Sequence, residues 1–258
     1  MNIIVCIKQV PDTADIKIDP VAKRLLREGI KSMINPFDMY AIEEGLRLKE
    51  KLGGKVTALT MGPPQAESAL REAVSLGCDE AILISDGAFT GSDTLATSYA
   101  LSCAIKKIKD YDMIFCGKQS LDGDTAHVGP GIAGHLNIPQ IVNVRKIQDI
   151  KEGRVTAHRM TEYGYDVLEA ELPCLLTVVK DINVPRLPSL KGKMKAKSTA
   201  ITVWKAADIQ AEENRIGAKG SATEVWKVTT SPARPQGKIF EGEGAVDQLV
   251  LTLKGLMK

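Results

Sequence analysis

The segment Gly117 to Pro130, GKQSLDGDTAHVGP, carries residue types suited to holding a phosphate. Gly117 and Gly123 permit tight turns, and Asp124 or Thr125 offers the short oxygen side chain that caps a helix running towards Leu136. Free N–H groups at such a helix start attract a phosphate or diphosphate through hydrogen bonds and the helix dipole. Asp122 and Asp124 would repel that ligand if both faced it. Asp124 is therefore assigned to capping, and Thr125 with the backbone amides to the phosphate. Lys118 is either a neutralising cation or an ordinary exposed lysine. The spacing is not G-x-G-x-x-G and lacks the Gly-Lys-Ser/Thr ending of a P-loop, so neither a Rossmann dehydrogenase nor an NTPase is supported.

No acid, base or nucleophile constellation accompanies this stretch. Of three histidines, His127 and His135 fall eight residues apart on the expected helix, about 12 Å in rise, too far to share a proton or a metal. His158 is isolated, and neither H-E-x-x-H nor G-x-S-x-G occurs. Cys6, Cys78, Cys103, Cys116 and Cys174 are scattered through apolar runs without a C-x-x-C pair, which predicts buried thiols rather than a zinc or iron–sulfur site. Leu190 to Lys197, LKGKMKAK, places four lysines on one face if extended. Near-neutral overall charge and the lack of interleaved aromatics rank nucleic-acid binding below a lysine-protected sheet edge.

Positioning these residues requires a scaffold. Ile3–Val10, Lys55–Met61, Glu80–Ser85, Tyr111–Cys116 and Cys174–Val179 are short apolar runs that predict buried strands. Helical patterns alternate with most of them. From Phe37, one half of the wheel carries Ala41, Ile42, Leu46, Leu48 and Leu52, while Glu43, Glu44, Arg47, Glu50 and Lys51 fill the other. Ala66–Val74 and Leu101–Ile108 repeat the pattern. The expected fold is α/β, with a doubly wound, mostly parallel sheet.

Two hairpin insertions interrupt that rhythm, one over Pro11–Pro36 and one over Ile147–Leu172, and the regular pattern ends after Lys180. SPARPQGKIFEGEG from Ser231 has the composition of a linker, and Val246, Leu249, Val250, Leu253 and Leu256 then form one stripe. The division expected is a domain over residues 1–230 and a C-terminal helical arm over 231–258, folding back or docking on another subunit. The 258 residues carry 34 basic and 32 acidic side chains, a formal charge of +2, giving no global attraction to nucleic acid or anionic membrane. No apolar run reaches the roughly 20 residues of a membrane span, and Met1 leads directly into IIVCIKQV without a charged leader. A cytoplasmic location is expected.

VCIKQVPDT, NPFDMYAIEE, TMGPPQAE, GKQSLDGDTAHVGP and NVPRLPSLKGKMKAK occur in the order and at the distances of the beta subunit of electron transfer flavoproteins, and the chain resembles that family over nearly its whole length. DGDTAHVGP is similar to the version in electron-bifurcating members, with His127 where Gln is usual. Tyr163 and Asp166 also depart from the family signature. The resemblance implies an adenosine moiety touched by Cys6, Ile7, Lys8, Gln9, Asn35, Met61 and Gly62. Gly117, Asp122, Gly123, Asp124, Thr125, Ala126, His127, Val128 and Gly129 lie around the phosphates in the same reading. It implies a recognition loop near 184–197 that docks an acyl-CoA or other flavin dehydrogenase through Leu190, and a terminal helix docking on the partner alpha subunit.

The function so implied is that of a heterodimer in which FAD on this chain takes hydride from NADH. One electron passes to ferredoxin or flavodoxin, and the other to the alpha-subunit FAD and onward to a dehydrogenase. A nucleotide cradle without catalytic side chains suits this, because the flavin carries the redox change. The alternatives are a non-bifurcating subunit holding structural AMP, and a stand-alone adenine-nucleotide module.

Overall fold

In the computed structural model, the described residues are 1–12, 32–226 and 237–256. In chain order they form β1 (Asn2–Cys6), β2 (Gln9–Pro11), β3 (Ser32–Ile34), α1 (Pro36–Leu52), β4 (Lys55–Met61), α2 (Glu67–Leu76), β5 (Glu80–Ile84), α3 (Thr94–Ile108), β6 (Met113–Gly117) and α4 (Val128–Leu136). Next come β7 (Gln140–Lys151), β8 (Arg154–Met160), β9 (Tyr165–Glu171), β10 (Cys174–Val178), α5 (Leu190–Ser198), β11 (Thr202–Trp204), the single turn α6 (Gly217–Gly220) and α7 (Ala245–Leu256).

Among the described residues, nine strands form one sheet in the order β11-β5-β4-β1-β6-β10-β7-β8-β9. All pairs from β11 through β7 are parallel; β7-β8 and β8-β9 are antiparallel. Strand alternation divides the core. Ile3 and Val5 point to one face with Ile42, Leu46, Leu70 and Val74, while Ile4 and Cys6 point to the other with Leu59, Ile105 and Ile132. Helices on both faces bury the central strands β1, β4, β6 and β10 almost completely, so the expected doubly wound α/β sheet is present. All five cysteines are buried and unpaired.

The insertions follow the same logic. β2 and β3 pair antiparallel at the base of the first expected hairpin, whose remaining residues lie outside those described. The second is a three-stranded meander continuing the sheet from β7, longer than Ile147–Leu172 because β7 begins at Gln140. Strand β11, which the sequence reading lacked, joins the far edge beside β5.

Three local expectations are corrected. LKGKMKAK is helical rather than extended: the Ser189 side chain accepts from the Gly192 amide to cap α5, and Ala196 is buried. Gly192 there lies so close to α2 that a Cβ would meet the Ser75 carbonyl oxygen. The lysines consequently spread around a helix and guard no sheet edge. Glu43 and Glu44 are buried, although the wheel gave them to the solvent side. Arg186 crosses over α1 and donates from Nε to Glu43 Oε2 at 2.7 Å, and Asn183 Nδ2 donates to Glu44 Oε2 at 3.0 Å. Burial pushes the Glu44 carboxyl above its usual range despite that bond. Lastly, α4 begins at Val128, later than a cap at Asp124 or Thr125 would place it.

Candidate functional site

From β1 the chain winds outward through β4 to β5, then returns to place β6 on the opposite side of β1. Such a reversal opens a crevice beyond the carboxyl ends of the strands, where open α/β sheets take ligands. The register aligns Cys6 with Cys116 and with Leu59, so β1, β4 and β6 end together at this crevice.

Its walls are the segments leaving those strands. Lys8 extends from the end of β1 and its Nζ donates to both Asp122 oxygens, at 2.7 and 2.8 Å, bridging to the loop after β6. Burial opposes ionisation of Asp122, yet the Lys8 ammonium, with the Ser120 hydroxyl, holds its carboxyl below the usual range. The repulsion expected of Asp122 is thereby offset within the protein. Asn35, 1% exposed, donates from Nδ2 to the Gln119 carbonyl at 2.8 Å and accepts from the Leu121 amide at 3.2 Å. Its side chain shapes the loop instead of presenting a free amide to a ligand.

The loop has the backbone geometry of an anion cradle. Asp124 and Ala126 have φ of 51° and 56°, whereas His127 has φ of −92°, and alternation of this kind turns successive amides towards one side. Among the described residues, the amides of Thr125, Ala126, Val128 and Gly129 donate to no protein acceptor. Asp124 does not cap α4. Its Oδ1 accepts from Gln119 Nε2 at 2.7 Å, and the residue preceding the helix is His127, which makes no side-chain cap. Thr125 Oγ1 is 3.5 Å from the His127 amide, a contact too long to cap strongly. The start of α4 is consequently left open to an incoming anion. Gly129 is required for packing: a Cβ there would stand 2.7 Å from Thr177 Cγ2.

The remaining expected contacts divide. Met61 and Gly62 lie half-buried at the end of β4. Cys6 and Ile7 send their side chains into the core and leave only main chain at the crevice. Gln9 turns away, donating from Nε2 to the Gln65 carbonyl and the Ser68 hydroxyl. Lys118 extends the ladder through its amide to the Val178 carbonyl. Leu190, outside the crevice, is 77% exposed at the start of α5, near exposed Val184 and Leu187. Sequence reasoning missed Asp38, which is buried at the crevice floor and accepts amides from both Lys8 and Gly117. An acidic residue three positions after Asn35, in a helix's first turn, was its only signal.

Amides and one lysine form a donor set that fits an anionic diphosphate; among the described residues there, the Asp38 and Asp122 carboxylates are engaged in hydrogen bonds and the Cys6 and Cys116 thiols are buried, while the His127 ring is exposed. Among the described residues no metal-binding cluster occurs. The family model described as "Electron transfer flavoprotein domain" matches residues 23–209. This chain belongs to the electron transfer flavoprotein family. An electron transfer flavoprotein subunit beta of Thermoanaerobacterium thermosaccharolyticum is 50% identical, covering 97% of this chain and 96% of that protein. The subunit beta of Megasphaera elsdenii is 47% identical over 97% of this chain and 95% of its own length. Caffeyl-CoA reductase-Etf complex subunit CarD of Acetobacterium woodii is 45% identical over 94% and 92%. As an electron transfer flavoprotein beta subunit, the chain serves electron transfer beside an alpha subunit. No described helix is long and apolar enough to cross a membrane.

Proposed function

We propose that this chain is the beta subunit of a cytoplasmic, NADH-oxidising, electron-bifurcating flavoprotein that holds FAD in the crevice beyond β1, β4 and β6. The observation carrying this reading is the set of undonated amides at Thr125, Ala126, Val128 and Gly129 beside the Lys8–Asp122 pair. These amides bind the diphosphate, and the start of α4 adds its dipole. Met61 and Gly62 at the end of β4 border the adenosine. FAD supplies, when bound, acceptance of hydride and onward release of single electrons. The DGDTAHVGP sequence and the kinship with a subunit of a caffeyl-CoA reductase-Etf complex support the bifurcating form.

The same cradle accommodates the phosphate of AMP, which would make the chain a non-bifurcating relay subunit. Cofactor stoichiometry of the purified heterodimer separates the two. Two FAD per dimer with bleaching by NADH is the expected result; one FAD plus bound AMP overturns the bifurcating reading. A colourless monomer stable without a partner would reveal a stand-alone nucleotide module instead.

Partner roles follow the surface. Exposed Leu187 and Leu190, on the segment that Arg186 anchors to α1, offer a small apolar contact for an acyl-CoA or other flavin dehydrogenase. Ferredoxin or flavodoxin is the low-potential acceptor in this scheme.

Lys8 yields a direct test of the cradle. Lys8→Gln leaves the Asp122 carboxylate uncompensated near the phosphates and is expected to weaken FAD binding about tenfold, a typical value for losing one charge-assisted contact. Adding Asp122→Asn to that variant should restore most of the affinity. Equal losses in the single and double variants would show that Asp122 does not face the ligand.

A further inference from the structure

Asp38 sits in the first turn of α1, and its two oxygens join main chains from opposite walls of the crevice. Oδ2 accepts the Lys8 amide at 2.7 Å, and Oδ1 accepts the Gly117 amide at 3.1 Å. These amides open the two segments whose side chains, Lys8 and Asp122, then meet across the loop. The carboxylate thus fixes the separation of the two walls from below.

We propose that ionised Asp38 is the positioning residue that sets the spacing of the nucleotide cradle, and that its protonation loosens the cradle and weakens diphosphate binding. This role rests on the nucleotide reading of the crevice given above. A carboxylate accepts at both oxygens, but a carboxylic acid presents a hydroxyl to one of the two N–H donors. At 6% exposure, water has little access to replace the lost bond.

The proton exchange falls in an accessible range. Burial pushes the Asp38 carboxyl from 3.8 up to about 7, against the amides of Lys8 and Gly117, the Asn35 side chain and the Lys8 charge. The titratable or charged groups around it are Lys8 beyond β1, Cys116 from β6 with the Cys6 thiol hydrogen-bonded behind it, and Asp122 through Lys8. The Cys6 hydrogen bond, with burial, raises the Cys116 thiol well above its ordinary value, and Asp122 is held low. Neither of those two changes charge near neutrality; Asp38 does.

The signs of stability and binding then oppose each other. Because the folded value lies above the ordinary one, the folded protein holds the Asp38 proton more tightly, and stability falls as pH rises from about 4 through 7. Ligand affinity instead rises through the upper part of that window. A residue that only supported the fold would make binding weaken together with stability.

FAD affinity of the flavin-stripped heterodimer at pH 6 and pH 8.5 tests this, with His127→Gln as the common background so that the nearby imidazole does not contribute. FAD keeps a fully ionised diphosphate over that interval. Affinity is expected to fall about tenfold at pH 6, one lost contact by the arithmetic of binding constants. Asp38→Asn should bind with the weaker affinity at both pH values. A pH-independent parent, or an Asp38→Asn variant that keeps the parent's profile, overturns the proposal.

Hydrogen exchange at the Lys8 and Gly117 amides, corrected for intrinsic rates, supplies a ligand-independent reading and serves even if Asp38→Asn does not fold. Loss of protection at pH 6 relative to pH 8.5 supports the proposal; unchanged protection overturns it. Should FAD bind at neither pH while protection remains proton-linked, the flavin assignment fails and the positioning role of Asp38 stands.

Discussion

Gly117→Ala is expected to destabilise the protein by about 3 kcal/mol, combining overpacking with damage to a buried hydrogen bond. A Cβ at Gly117 would overlap the Asp38 carboxylate and stand 2.7 Å from both the carbonyl carbon and the Cβ of Phe37. Neither side yields easily. Strand β6 is held between β1 and β10 by parallel ladders, and α1 is fixed by Leu46 and Ile42 in the core. The collision falls on the carboxylate joining Lys8 to Gly117, so nucleotide affinity should decline along with stability. Urea titration of the heterodimer measures the change, with Gly123→Ala as control. Gly123 has only Ser120 Oγ near, at 3.4 Å from an added Cβ, and its substitution should stay within about 0.5 kcal/mol. Equal stability of the two variants would mean that the first turn of α1 withdraws freely from β6.

Removal of residues 245–258 should raise the dissociation constant of the heterodimer by at least about a hundredfold, some 2.7 kcal/mol. Helix α7 buries none of its residues within this chain, yet Val246, Leu249, Val250, Leu253 and Leu256 recur at helical spacing. Burying such side chains yields about 1.5–3 kcal/mol each, and the cost of association itself consumes much of the sum. Leu249→Asp combined with Leu253→Asp should reproduce the loss without shortening the chain. Analytical ultracentrifugation of the complex gives the constant; retention of the parent affinity by the truncated form would show that the stripe contributes nothing to pairing.

The strands were legible because the central sheet is buried on both faces and leaves continuous apolar runs, as in Ile3–Ile7 and Ala81–Ile84. Helices α1 to α3 announced themselves through periodicity. The loop proposed to hold phosphate was singled out from Gly117, Gly123 and the run to Gly129, although local rules misplaced the start of the helix that follows it. Asp124 and Thr125 are good capping types, but the left-handed backbone at Asp124 and Ala126 delays the helix to Val128. LKGKMKAK defeated a period-two reading because Ser189 caps a helix and α2 supplies the surface for Ala196. Glu43 and Glu44 belong to the same class of error: polar residues become interior when Arg186 and Asn183, about 140 positions later, return to pair with them.

The sequence alone determined the alternation of strands and helices, the family and the loop with the chemistry of an anion site, because each resides in local residue order. The tertiary structure decided which residues share the crevice and in what role. Asn35 and Asp38 became supports of the loop, and Lys8 the partner of Asp122, only when the return of β6 beside β1 brought their segments together. Hydrogen bonds between chain segments 30 to 114 residues apart depend on strand order, and no local pattern of side chains encodes that order.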